Sequence, residues 1–431
     1  MRVKLAYGRD GLKVDLPDAT TVVEPRFVPG LSDEPVALLD ALRHPIESAA
    51  LAHLVRPGQS VAIVHTDITR ATPNERILPV LLSELEAAGI RHEDITLING
   101  LGTHRKQTEA ELRVMLGDGV VDNYRCVQHD CYDDDALVLL GDTANGHPVR
   151  INKTYMQADV CILTGFIEPH FFAGFSGGPK AVLPSLAGWE SVFSNHGQPM
   201  IAHPKATWGV TESNPIWEEM REVALRTNPT FSLMVTLNSR REITGVFAGG
   251  MLASHRLGCA FVRESSMAGV DTPFDIVVTT NSGYPLDQNL YQSVKGISAA
   301  NEIVREGGAI IMAAACNDGL PDHGGYAKFL AEAGSPQGVI NMLNQPGFSR
   351  HDQWSVQVQA KIQLRCQVYV HSDGLTDQQI RGALFTPCRN IEQTLAELAT
   401  RYGPDARICV LPEGPLTIPY LLAPETMAGR A

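Results

Sequence analysis

Two α/β domains with mainly parallel sheets are the fold class this sequence predicts, and three observations predict it. Short apolar runs alternate with segments of helical periodicity, as parallel α/β layers require. The length of 431 residues suits about two domains. Glycine and proline are plentiful, at 38 and 27, while charged residues make up only 19%, a balance that fits loop-rich α/β layers better than a helical repeat.

The elements follow in chain order. The opening MRVKLAYGRDGLKVDL reads as two short strands around a turn. Strands are expected at 60–65, 94–99, 136–140 and 159–164. Between the first two, residues 74–88 carry apolar side chains at helical spacing; Thr72 is expected to cap this helix, with Pro73 in its first position. Residues 195–214 read as a polar, irregular stretch, and 231–247 as a strand pair turning at Ser239-Arg240-Arg241. A second series begins near Thr272, with strands at 274–279, 309–314, 367–371 and 407–411 and helices at 299–306, 327–333, 336–344 and 391–402. The break at 268–273 divides a domain of residues 1–270 from one of 271–403, and 404–431 can return to the first. No internal repeat or low-complexity segment is present.

Composition narrows the function. The net charge is −13 and no run of Lys or Arg occurs, which argues against a nucleic-acid partner. An anionic substrate must then be held by a few placed cations. No apolar stretch reaches the roughly 18 residues of a membrane span, and the N-terminus lacks a signal peptide's apolar run, so a cytoplasmic protein is expected. The eight cysteines are scattered without C-x-x-C spacing, as expected of reduced thiols rather than disulfides or a zinc site.

Five constellations can carry chemistry. His65-Thr-Asp67-Ile-Thr69-Arg70-Ala-Thr72-Pro73 joins a strand to a helix, where open α/β sheets bind ligands; Asp67 can accept from a hydroxyl and Arg70 can clamp a carboxylate. An ordinary turn with a surface Asp–Arg pair fits equally well. Asn99-Gly-Leu-Gly102-Thr-His104 ends the next strand; its glycines would let a ligand approach the backbone, but the dinucleotide fingerprint is incomplete. His104 would share a crevice with Arg70 if the two strands are neighbours. The third, Gly165-Phe-Ile-Glu-Pro-His170-Phe-Phe-Ala-Gly-Phe-Ser-Gly177-Gly178-Pro-Lys180, fails as a P-loop because Pro179 precedes the lysine and no Ser or Thr follows it. A lysine in such a turn is a plausible covalent anchor or anion ligand. Ser194-Asn195-His196 offers one histidine, which makes a metal site only if a cofactor supplies the other donors. Tyr291-Gln292-Ser-Val-Lys295 follows the first strand of the second domain, from which Gln292 and Lys295 can reach a polar ligand in an active-site cleft between the domains; a solvated helix face is the plainer alternative.

Taken together, from about residue 60 to 360, these segments resemble the nickel-pincer-nucleotide-dependent lactate racemase family in residue type, order and spacing. The resemblance rests on Asp67 and Arg70 in DITR, His104 in GTHR, His170 and Lys180 in EPHFFAGFSGGPK, His196 in SNH, and Tyr291, Gln292 and Lys295 in YQSVK. Trp354 in HDQW falls where the family has a pocket tryptophan, whereas Ala71 stands where its pattern leads one to expect proline.

What the resemblance implies is specific. The cofactor would be a pyridinium-3-thioamide-5-thiocarboxylic acid mononucleotide, the nickel-pincer nucleotide, covalently joined to Lys180 and supplied by cofactor-synthesis enzymes. Nickel would take two sulfurs and a ring carbon of the cofactor, with His196 as fourth ligand; soft donors in a square-planar set suit nickel. Asp67, Thr69, Gly177, Gly178, Tyr291, Gln292 and Lys295 would bind the cofactor. Arg70, Gln292, Lys295 and Trp354 would bind a small 2-hydroxy acid. The α-hydrogen would leave as hydride, giving a 2-keto acid, while His104 and His170 each serve one enantiomer as acid–base group. Two other readings are an NAD-dependent 2-hydroxy acid dehydrogenase, which calls for the missing third glycine, and a non-catalytic nucleotide-binding relative, in which Lys180, His196, His104 or His170 should have been lost.

Overall fold

The structure, a computed structural model, describes residues 1–320 and 325–422. The chain forms two compact units. The first, here the N-terminal unit, comprises Phe27–His196 and His203–Glu264. The C-terminal unit comprises Met1–Arg26, Gly197–Ala202 and the chain from Ser265 onward.

The sheet of the N-terminal unit has six strands, in spatial order Ile243–Gly249, Phe231–Leu237, Val160–Phe166, Val61–Thr66, Ile95–Gly100 and Arg125–Gln128. All neighbours are parallel except the first pair. The inner strands are buried on both faces, which explains their near-continuous apolar runs, VAIV and VCIL. The chain leaves Val61–Thr66 toward one edge and later returns as Val160–Phe166 on its other side. These two strands therefore border a topological switch point, the crevice where such sheets bind ligands. Helix Asn74–Ala87 packs Ile77, Leu78, Leu81 and Leu85 into the core, at the i, i+1, i+4, i+8 spacing of one helical face.

In the C-terminal unit the sheet is wholly parallel, in the order Thr386–Pro387, Gln367–His371, Val304–Ala313, Phe274–Thr280, Ile408–Leu411 and Thr21–Val22. Its switch point lies between Phe274–Thr280 and Ile408–Leu411. Segment Gly197–Ala202 is held within this unit by Gln357 and Lys361, which donate to the carbonyls of Gln198 (2.9 Å) and Ile201 (3.1 Å).

Several expectations change. Residues 1–26 lie with the C-terminal chain rather than in a 1–270 domain. Thr21–Val22 pairs with Ile408–Leu411, and Val3, Leu5, Val14 and Leu16 bury in the core of that sheet. The same pairing keeps 408–411 in the C-terminal unit. The strand expected at 136–140 exists as Leu137–Asp142, but it forms a separate antiparallel pair with Pro148–Asn152. The helix placed at 299–306 is Leu290–Asn301, capped by Asn289, whose side chain accepts from the Gln292 amide. Val304 already opens a strand, in keeping with its β-branched side chain. Thr72 does not cap its helix: Pro73 occupies the cap position, and the Thr72 hydroxyl is buried without a hydrogen-bond partner among the described residues. Helices Pro215–Arg226 and Met251–Ser266 were not anticipated.

Candidate active site

The site begins where Val61–Thr66 ends. Asp67 is 3% exposed, and its two oxygens divide their work. Oδ1 accepts from the Thr69 amide (3.0 Å) and hydroxyl (2.6 Å), and Oδ2 takes Nδ1 of His104. Burial pushes the Asp67 carboxyl up, but the charge and hydrogen bond of His104, with Arg70 and Thr69, outweigh it and hold the group well below the usual carboxylate range. Arg70 is near enough to contribute to that shift, yet its guanidinium makes no hydrogen bond or ion pair with the described residues. Such a cation is available to a substrate carboxylate.

His104 reaches Asp67 because strands Val61–Thr66 and Ile95–Gly100 are parallel neighbours whose following turns lie side by side. The glycines of this second turn have a different purpose from the one expected. A Cβ on Gly100 would stand 2.9 Å from Ser185 Cβ, and Gly102, at φ +55°, donates to the Ser185 carbonyl at 3.0 Å. They admit the chain's own Pro184–Ser185 turn rather than a ligand. Below them Asn99 donates to Gln107 Oε1 at 2.5 Å, and the Gln107 main chain donates to Gln128 Oε1 (2.7 Å) and accepts from its Nε2 (2.9 Å), so side-chain amides fix the base of the His104 loop.

The glycine-rich segment leaves the strand on the other side of the switch point. Pro169–His170 and Gly174–Phe175 pair as a short hairpin. His170 is buried, its ring 4.5 Å edge-on from Phe172, and Phe172 lies 4.9 Å from His196, so a continuous row of rings joins the two histidines. His170 Nδ1 accepts from the Ala173 amide at 3.2 Å. The turn then tightens through Gly177 (φ +74°) and Gly178 (φ +52°) into a short 3-10 helix bearing Lys180. A Cβ on Gly178 would lie 2.6 Å from the His255 ring. His255 itself donates from Nε2 to the Ser176 carbonyl at 2.9 Å and stacks on Trp217. It therefore braces the loop from beneath.

Lys180 and His196 are both buried. Burial, and then the charge of Lys180, push the His196 imidazole down to about 3, so it is neutral and suited to bind a metal. Its Nδ1 lies 3.0 Å from Asn195 Oδ1. In the C-terminal unit, Tyr291, Gln292 and Lys295 occupy the first turns of the helix that follows the central strand Phe274–Thr280. Trp354 Nε1 donates to the Tyr291 hydroxyl at 3.0 Å, which unites the two aromatic candidates.

Asp67, Thr69, Arg70 and His104 thus form one cluster. His170, Gly177, Gly178, Lys180 and His196 form a second on the same sheet, and Tyr291 with Trp354 a third on the other. Sequence reasoning missed His255 and Glu219. A signal for Glu219 existed: it lies on the apolar stripe Ile216, Met220, Val223 of its helix, where an acid needs an explanation.

A nickel-bearing nucleotide can be tested against this donor set. Among the described residues no group of three or more His, Cys, Asp or Glu could hold a metal ion. A neutral, buried His196 near a buried Lys180 is what remains, and it fits a metal whose other donors arrive on a group anchored by the amine.

Comparison with known proteins identifies the family. The family model for the lactate racemase N-terminal domain matches residues 7–209, and that for the lactate racemase C-terminal domain matches 270–418. A lactate racemase from Thermoanaerobacterium thermosaccharolyticum is 35% identical over 421 residues, 96% of this chain and 97% of its own length. One from Lactiplantibacillus plantarum is 37% identical over 377 residues, 87% of this chain and 88% of its own. The structure of the T. thermosaccharolyticum lactate racemase apoprotein superposes with a TM-score of 0.90 at 34% identity, covering 97% of this chain and all of that one. A Thermotoga maritima protein at 17% identity and TM-score 0.66, covering 92% of this chain and all of that one, shares the fold. With both domain models matched in order and full-length relatives above 30% identity, the chain belongs to the lactate racemase family.

Proposed function

We propose that this chain is an isomerase that interconverts the enantiomers of a small 2-hydroxy acid, lactate or a close analogue. The observation that carries the reading is the pairing of two arrangements on one switch point. One is an acid–base histidine held by a buried carboxylate, His104 on Asp67; the other is the buried Lys180 with neutral His196.

Lys180 would anchor the nickel-pincer nucleotide, His196 would ligate its nickel, and Asp67, Thr69, Gly177 and Gly178 would line its seat. When bound, that group supplies an acceptor for the α-hydrogen as hydride, a route that avoids deprotonating a very weak carbon acid. The chain's own residues do the rest. Arg70 binds the carboxylate. His104, with Nδ1 committed to Asp67, exchanges the hydroxyl proton through Nε2 for one enantiomer, and His170 does so for the other. On the C-terminal unit, Tyr291, Gln292, Lys295 and Trp354 are the proposed binding residues for substrate and cofactor oxygens. All eight cysteines are free thiols, which supports a reducing, cytoplasmic setting in which dedicated synthesis enzymes would load the cofactor. No helix among the described residues is long and apolar enough to cross a membrane.

The test is chiral chromatography of single-enantiomer 2-hydroxy acids after incubation with protein co-produced with the cofactor-synthesis enzymes. Appearance of the opposite enantiomer of one or more acids supports the reading. Accumulation of keto acid coupled to NAD reduction would replace it with a dehydrogenase.

A further inference from the structure

We infer that Asn195 and Glu219 are positioning residues that lock His196 in its Nδ1–H tautomer, which reserves the Nε2 lone pair for the metal. The metal half of this inference rests on the reading of His196 as nickel ligand; the tautomer half does not.

Glu219 is 2% exposed and has no part in the chemistry described above. A buried carboxylate must be met by donors. Thr143 Oγ1 (3.0 Å), Asn145 Nδ2 (2.7 Å) and His147 Nδ1 (2.9 Å) surround Oε2, and Asn195 Nδ2 donates to Oε1 at 3.0 Å. With so many donors the group is a carboxylate, able only to accept. Asn195 is itself wholly buried, and the same Nδ2 also donates to the Ile216 carbonyl at 3.2 Å. A flipped amide would set Oδ1 against a carboxylate and a carbonyl with no proton between them. The amide orientation is therefore fixed by chemistry, and Oδ1 must face His196 Nδ1, 3.0 Å away. A carbonyl oxygen accepts and cannot donate, so Nδ1 carries the proton. A neutral imidazole has one, so the lone pair is on Nε2. Outer partners of this kind orient metal-bound histidines, and their loss weakens metal affinity by about 10–100-fold.

The experiment uses the full-length chain with ¹⁵N-labelled histidine and no cofactor, with long-range ¹H–¹⁵N spectra reporting the tautomer and His196→Gln assigning the signal. Wild type should show Nδ1–H. Asn195→Ala should lose that preference; Glu219→Gln, a near-isosteric change that removes one of the two acceptors holding the amide and serves if the alanine variant fails to fold, should weaken it. The pair Asn195→Asp/Glu219→Gln, which moves the carboxylate but keeps an acceptor toward Nδ1, should restore it. An Nε2–H wild type, or an unchanged tautomer in both single variants, would overturn the inference. In loaded protein, chelator titration should find nickel held about 10–100-fold more weakly in Asn195→Ala than in wild type; equal retention would overturn the metal half. Wild-type nickel retention by His196→Gln would instead overturn the ligand reading and leave the tautomer result standing.

Discussion

At the scale of single residues, the strongest electrostatic statement concerns Asp67. Its carboxyl titrates lower in the folded chain than in the unfolded one, so it contributes stability above the unfolded value, near pH 4, and loses that contribution as pH falls toward the depressed folded value. Asp67→Asn should therefore melt below wild type at pH 7, and the gap between them should narrow toward about pH 3. Thermal unfolding across that range checks the sign; a gap that stays constant would contradict it. The same substitution removes the anchor of the His104 ring. Loss of His104 itself, as His104→Gln, should slow racemisation by about 10²–10⁴-fold and, because it withdraws the main favourable partner of the buried Asp67 carboxylate, should also lower Tm at pH 7. Gly178 makes a different demand. Its positive φ and the His255 ring 2.6 Å from any Cβ leave no room for a side chain. Gly178→Ala should displace the Lys180 turn, which intact mass would register as a smaller fraction of chain carrying the adduct.

At the scale of elements, helix Pro215–Arg226 and the loops against it hold the site together. Asn214 caps this helix through Oδ1, accepting from the Ile216 amide at 3.1 Å, while its Nδ2 donates to the carbonyls of Phe172 and Val210 at 2.9 Å each. One buried side chain thus joins the helix start to the ring row between His170 and His196. Asn214→Ala should cost about 1–3 kcal/mol, by loss of the cap and of partners for two buried carbonyls, and calorimetry should show a lower Tm. An unchanged Tm would mean that water replaces the asparagine without penalty.

The element scale also shows what the sequence makes legible. Apolar strands rich in Val, Ile and Leu, such as Val61–Thr66, Ile95–Gly100 and Phe274–Thr280, stand out because both their faces are largely buried. The motif turns are visible because they end those strands. Long-range pairing is not legible: nothing in Thr21–Val22 announces Ile408–Leu411 as its neighbour, and nothing in Leu137–Asp142 says that it pairs outside the main sheet. Nor do Gly100 and Gly102 reveal that they accommodate Pro184–Ser185, since that approach depends on folding of the intervening chain. The candidate residues are named from spacing and family resemblance. The Asp67–His104 bond, the bracing by His255 and the Glu219–Asn195–His196 chain required coordinates.

At the scale of the whole molecule, each unit carries its own sheet and core, and each places candidate residues beyond the carboxyl end of a central strand at its switch point. The net charge of −13 provides no general attraction for an anion, so a 2-hydroxy acid must rely on placed cations, and Arg70, which makes no hydrogen bond or ion pair with the described residues, is the candidate. The proposed reaction inverts the α-carbon of such an acid by moving its hydrogen as hydride while histidines handle only the hydroxyl proton. The most direct measurement incubates cofactor-loaded protein with one enantiomer of lactate deuterated at the α-carbon and resolves the products by chiral separation and mass. Both enantiomers should appear, with deuterium retained in the newly formed one. Recovery of the starting enantiomer alone, or racemisation with the label lost to water, would contradict the account.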